Sequence, residues 1–377
     1  MKLLIAALAA LLLLSGCSGD SLQPAETQSL PTETIPATTA ETQAPDPIET
    51  LARSMTMEEQ VGQLFLVRCN SETALEDIAK YHLGGLVLFG PDFETETPES
   101  ITQTIASYQA ASQIPLLIAV DEEGGTVTRV SRYSQYRDLP FDSPRTLYAQ
   151  GGLELVWDTE AEKCQLLRSL GINVNLAPVC DISNQPDALL YQRSLGQGPE
   201  ITSQFISGTV SLMTEHRIGS VLKHFPGYGD NADTHVQIAI DSRSLETFES
   251  CDLLPFRSGI DSGADAVMVS HTIVEAMDPT MPAALSPAVH RYLREQMGYD
   301  GVIMTDDLIM EAITQQYGAG EAAVLAVLAG NDILCCTDYA VQYEAVLEAI
   351  LTGRIDYGMV VDSVQRILRW KQELGLI

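Results

Sequence analysis

The sequence predicts an α/β fold in which eight parallel strands close into a (β/α)8 barrel, and three observations carry that expectation. Short, nearly continuous apolar runs recur eight times between longer amphipathic segments, as strands buried on both faces do. The span holding them is about 330 residues, the size over which such a barrel is the economical closure. Unusual polar residues then fall at the ends of these runs, where barrels of this kind gather their working groups. A doubly wound open sheet is the alternative, but no Gly-x-Gly-x-x-Gly follows the first run to mark a nucleotide site.

At the amino terminus, Lys2 precedes an apolar run, Leu3 to Leu14, that is too short to span a bilayer comfortably. It ends in Leu14-Ser15-Gly16-Cys17, a small-residue pair before cysteine that resembles a bacterial lipobox. The resemblance implies a signal peptide over residues 1–17, a lipidated Cys17 as the new amino terminus, and an extracytoplasmic protein held to a membrane by acyl chains. A plain secretory signal and a spanning anchor are the competing readings. Residues 18–46 are rich in Thr, Pro, Ser and Ala with no apolar period. They read as a disordered tether with a mean span of roughly 30 Å. The folded domain is expected over residues 47–377.

The 377 residues carry a formal net charge of -30 and are 45% hydrophobic. Such a surface repels polyanions and excludes nucleic acid as a partner. Besides Cys17, the cysteines at 69, 164, 180, 251, 335 and 336 have neither disulfide-framework nor zinc spacing. Their even count permits disulfides in an exported protein and no particular pairing is assigned; no metal or cofactor is expected, and the domain is read as a monomer.

Thr56 and Glu59 form a Thr-x-x-Glu start for a helix running into Val61 and Leu64. The eight runs are Leu64 to Val67, Gly85 to Phe89, Leu116 to Asp121, Val174 to Val179, Ser220 to His224, Ala266 to His271, Val302 to Asp306, and Asp332 to Cys336. Tyr343 to Leu376 supplies closing amphipathic helices for the outer layer. No repeat of solenoid length is present.

The stretch most loaded with chemistry is Val221 to His235, V-L-K-H-F-P-G-Y-G-D-N-A-D-T-H. An apolar run ends in Lys223 and His224, turns through Pro226, Gly227 and Gly229, and presents Asp233 and His235 two residues apart. Side chains at that spacing in an extended segment point the same way, so Asp233 can orient His235 and favour its protonated form. The third run ends in Asp121 and continues through Glu122-Glu123-Gly124-Gly125 to Arg129. After the fourth run come Asp181 and Tyr191-Gln192-Arg193-Ser194, and the seventh ends in adjacent carboxylates, Asp306 and Asp307. Paired acids at the end of a buried strand are costly unless one is used or paired.

Lys223-His224-Phe225-Pro226-Gly227 followed by Asp233-x-His235 resembles the signature of the β-N-acetylhexosaminidase branch of glycoside hydrolase family 3. Two departures are visible: Tyr228 stands where many members have a second His, and the spacer before Asp233 is slightly shorter. The resemblance implies Asp306 as nucleophile and His235, supported by Asp233, as general acid/base. It implies Asp121, Arg129, Arg193, Lys223 and His224 as sugar-binding residues. A second-layer hydrogen-bonding role is read for His271, and a loop-anchoring one for Asp307, pointing away; Asp181 is left outside the site. The implied reaction is retaining hydrolysis, and the implied substrate a carbohydrate with terminal β-linked N-acetylglucosamine, such as peptidoglycan fragments. Rival readings are a phosphorylase using the same groups, a β-glucosidase or β-xylosidase of the same barrel, and a sugar-binding lipoprotein with a retired site.

Overall fold

Asp46 opens the described chain by accepting a hydrogen bond from Ile48 N, which caps a helix over Pro47–Ser54. Thr56 and Glu59 form the reciprocal capping box of the next helix, Met57–Gln63. A computed structural model describes residues 46–231 and 239–377. Cys17, the signal peptide and the tether lie outside the described residues, as do Asp233 and His235.

All eight apolar runs are strands: β1 (Phe65–Arg68), β2 (Gly85–Leu88), β3 (Leu117–Val120), β4 (Val174–Asn175), β5 (Gly219–Phe225), β6 (Ala266–Val269), β7 (Val302–Thr305) and β8 (Leu334–Cys336). They pair in parallel in the order β8-β1-β2-β3-β4-β5-β6-β7. The remaining seam closes through a parallel bridge between Met304 and Ile333. There Thr305 N donates to Ile333 O and Ile333 N to Ile303 O, each at 3.1 Å. The fourth strand is shorter than its apolar run. Its ladder stops at Asn175, and Val179 rejoins the sheet only through an isolated bridge to Lys223, because Pro178 in between has no N–H to give.

Helices over Ala74–Tyr81, Pro98–Ala111, Pro144–Ser169, Pro199–Glu215 and Leu253–Asp261 follow β1 to β5. Pro287–Arg291, continued as a π-helical turn over Tyr292–Gln296, follows β6. Ala319–Ala329 and Tyr339–Leu351 follow β7 and β8, and the chain closes with Tyr357–Glu373. This last helix packs on the two amino-terminal helices and on β7. A Cβ on Gly219, at the start of β5, would stand 2.8 Å from the Trp370 ring. The core fills the barrel and the strand-to-helix layer. Phe225 of β5, for example, meets Phe256 edge to face at 5.3 Å.

Candidate active site

Residues from the carboxyl ends of all eight strands line one cavity of about 530 Å³. Arg68, Phe89, Asp121 and Leu176 come from the ends of β1 to β4; Lys223, Met268, Asp306 and Cys335 come from β5 to β8. Arg129, Arg193 and His224 complete a wall that is both charged and apolar. Six of the eight predicted catalytic and sugar-binding residues therefore meet here: Asp121, Arg129, Arg193, Lys223, His224 and Asp306.

Lys223 is the centre of the charged wall and only 2% exposed. Its Nζ donates to Asp121 Oδ1 at 2.7 Å and pairs with Glu123 Oε1 at 2.6 Å. Alternation along an extended chain puts Asp121 and Glu123 on one side and Glu122 on the other. Glu122 accordingly turns inward, accepting from Arg129 N and Val130 N at 2.7 Å each and from the Ser131 hydroxyl. It shapes the loop that brings Arg129 back to the cavity, where the guanidinium lies 4.0 Å from Asp121. Arg68 and Arg129 both lie against the Phe89 ring, at 4.5 and 5.6 Å from its centroid.

Arg193 grips Glu123 with two hydrogen bonds, Nε to Oε2 at 2.8 Å and Nη2 to Oε1 at 2.7 Å. Burial acts to raise the Glu123 pKa, yet the Arg193 and Lys223 charges outweigh it and hold the carboxyl well below its ordinary range. Burial likewise acts to lower the Lys223 pKa, and Asp121 with Glu123 reverses that, raising it. Arg193 Nη2 also lies 3.3 Å from His224 Nε2. A guanidinium can only donate, so His224 Nε2 accepts and the ring proton sits on Nδ1. That proton is donated to Asp181 Oδ2 at 2.7 Å. Asp181 also accepts from His224 N at 2.9 Å and Tyr228 N at 2.6 Å, welding the β4 loop to the end of β5. The peptide between Lys223 and His224 is cis.

Asp306 is half-buried, and its Oδ1 accepts from Asp307 N at 2.8 Å. The Asp307 carboxylate accepts from Thr337 Oγ1 at 2.7 Å and Ile309 N at 3.0 Å, which ties the β7 loop to the β8 loop. Burial raises its pKa. Its residue nonetheless contributes to the cavity wall. His271 is fully buried, with Nε2 3.0 Å from Asp307 O.

Two participants, Glu123 and Arg68, escaped the reading of the sequence, and a third, Asp181, was noticed there but left outside the site. Glu123 is the hub joining Lys223 to Arg193, and its signal was the doubled acid after β3, the same signal noticed at Asp306 and Asp307. Asp181 is the partner of His224. Arg68, a lone cation at the end of β1, had no local signal at all. Among the described residues, no three His, Cys, Asp or Glu side chains converge on a metal-sized site, and no helix is long and apolar enough to cross a membrane.

A closed parallel barrel with carboxylates, cations and an imidazole converging at its carboxyl-end mouth defines an enzyme of the (β/α)8 class. The family description "Glycosyl hydrolase family 3 N terminal domain" matches residues 56–370. The β-hexosaminidase of Stenotrophomonas maltophilia is 36% identical over 292 residues, covering 73% of this chain and 85% of that protein. The β-hexosaminidase of Nitrosomonas eutropha is 32% identical over 278 residues, 71% of this chain and 78% of that protein. Among solved structures, a family 3 β-N-acetylglucosaminidase from Paenibacillus superposes with a TM-score of 0.80 at 34% identity. The match covers 85% of this chain and 63% of the Paenibacillus chain. The β-N-acetylhexosaminidase of Beutenbergia cavernae gives 0.76 at 27% identity, over 84% of this chain and 99% of that one. The chain belongs to glycosyl hydrolase family 3 and is a glycoside hydrolase.

Proposed function

We propose that this glycoside hydrolase is a retaining β-N-acetylhexosaminidase that removes terminal β-linked N-acetylglucosamine, with cell-wall fragments as its source. The observation that carries the reading is that the half-buried Asp306 shares one cavity with the Lys223, Asp121 and Arg193 network. Asp306 attacks the anomeric carbon while His235, oriented by Asp233, protonates the departing oxygen. The glycosidic bond breaks and an ester to Asp306 forms. His235 then takes a proton from water, which attacks the same carbon and releases Asp306, so the configuration is retained. Lys223, Asp121, Arg193, His224 and Arg129 hold the sugar hydroxyls. The first four are pre-set by their mutual bonds, which reduces the reorganisation needed when substrate binds.

The test compares p-nitrophenol release from the β-N-acetylglucosaminide and the β-glucoside, with and without phosphate. Preference for the acetylated sugar without phosphate dependence is the expected outcome. Stimulation by phosphate would make the enzyme a phosphorylase, and preference for the glucoside would overturn the specificity. Asp306→Ala should lower kcat by about 10³-fold or more while leaving the melting temperature close to wild type; unchanged turnover would remove Asp306 from the mechanism. Muropeptides and chitooligosaccharides, compared as substrates, test the cell-wall source. The same proposal includes export, lipid attachment at Cys17 and a monomeric domain. Cys17→Ala should release the protein from the membrane fraction, and sedimentation of the domain from Pro47 onward should give a monomer.

A further inference from the structure

The chain leaves β5 through Gly227 and Asn231 and comes back through Asp241, and the residues between carry Asp233 and His235. Among the described residues, Arg243 bridges the two limbs and ties both to the barrel. Arg243 Nε donates to both oxygens of Asp241, at 3.1 and 3.0 Å, and Nη2 donates to Asp241 Oδ2 at 2.8 Å and to Gly227 O at 3.3 Å. On the other edge of the guanidinium, Nη1 reaches both oxygens of Asp252, at 3.0 and 2.8 Å. Asp252 lies directly before the helix Leu253–Asp261 that covers the barrel. Asp241 also accepts from Asn231 Nδ2 at 2.6 Å, on the outgoing limb. Asp241 and Asp252 are 2% and 1% exposed. Gly227, at φ 124, is pressed so close that a Cβ there would stand 2.5 Å from Asp252 Cβ.

We infer that Arg243 is a positioning residue for the reaction: its guanidinium sets the spacing between the outgoing limb at Gly227 and the returning limb at Asp241, and locks both to the barrel at Asp252. The inference rests on the proposed function, in which the general acid/base lies between those limbs. A planar fork fixes both distance and angle, which an ammonium cannot do. Proton transfer to a leaving group is sensitive to small displacements of the acid. Arg243 has no place in the cavity wall around Lys223 and Asp306. Its loss should therefore impair proton delivery and spare sugar binding.

The experiment measures kcat/KM on two substrates for wild type, His235→Ala, Arg243→Gln and Arg243→Lys. The 2,4-dinitrophenyl β-N-acetylglucosaminide has a leaving group that departs without a proton, whereas N,N′-diacetylchitobiose needs one. Wild type sets the reference ratio, and His235→Ala should lose about 100-fold or more on chitobiose with little change on the dinitrophenyl substrate. Arg243→Gln should shift the ratio in the same direction by about 10-fold, with inhibition by free N-acetylglucosamine unchanged. Removing the cation leaves two buried carboxylates uncompensated. Arg243→Lys keeps the charge without the fork, and it reads the same ratio should Arg243→Gln fail to fold. Equal losses on both substrates in the Arg243 variants, beside a selective His235→Ala, would overturn the positioning role. An unselective His235→Ala would instead overturn the acid/base reading on which it rests.

Discussion

Glu123 shows how a single buried acid organises the cavity. Its two partners, Lys223 and Arg193, are each drawn into the wall by it; without it Lys223 keeps Asp121 but the partly buried Arg193 loses its carboxylate partner, which is costly. Glu123→Gln should cost about 3 kcal/mol of stability, read from the denaturant midpoint, and should raise KM for the N-acetylglucosaminide. Because the folded pKa of Glu123 is depressed, its contribution is present above its ordinary value of 4.5 and fades as the pH falls below that. Lys223 has the opposite sign: its pKa is raised, so its contribution is present below its ordinary 10.5 and fades at higher pH. Acid-induced loss of stability below about pH 4.5 should thus be shallower in Glu123→Gln than in wild type; identical slopes would mean that Glu123 is not the group responsible. The doubled acid Glu122-Glu123 was visible in the chain, yet which of the two faced Lys223 depended on the pleat at the end of β3.

The elements follow the apolar pattern with small changes at their ends. β1 begins at Phe65, one residue later than its run, because Leu64 completes the helix capped by Thr56 as its carboxyl cap. The capping box was legible because both partners lie within four residues of each other. The shortening of β4 had a local sign in Pro178, but where the chain rejoins the sheet, at Val179 against Lys223 of β5, was not legible. Close packing between neighbouring strands offers the element-scale test. Gly85 of β2 sits between Leu66 of β1 and Leu117 of β3, and a Cβ there would lie 2.4 Å from Leu117 O. Gly85→Ala should therefore destabilise by about 2 kcal/mol, seen as a lower denaturant midpoint with an unchanged slope; wild-type stability would show that the strands part without cost.

At the scale of the whole molecule, the barrel's far end is covered by the first two helices and the last, and Lys371 is sealed there with no exposure. Its Nζ donates to Gln63 Oε1 at 2.7 Å, and burial lowers its pKa to about 7. The unfolded chain binds this proton more tightly than the folded one, so the Lys371 term makes stability rise from about pH 7 to its ordinary 10.5. Lys371→Met should be more stable than wild type near neutral pH, and that advantage should narrow as the pH rises to 10; a constant difference would refute the assignment. Eight strands, their parallel pairing and the crowding of polar groups at their ends could be read from the chain, because burial on two faces imposes a local apolar pattern that needs no partner to be recognised. The meeting of Lys223 with Glu123, of His224 with Asp181 and of Arg243 with both Asp241 and Asp252 could not. Lys223 and Glu123 are 100 positions apart in the chain. Their contact exists only because closing the sheet brings the end of β3 within reach of the end of β5, and no local pattern encodes a distance across a barrel.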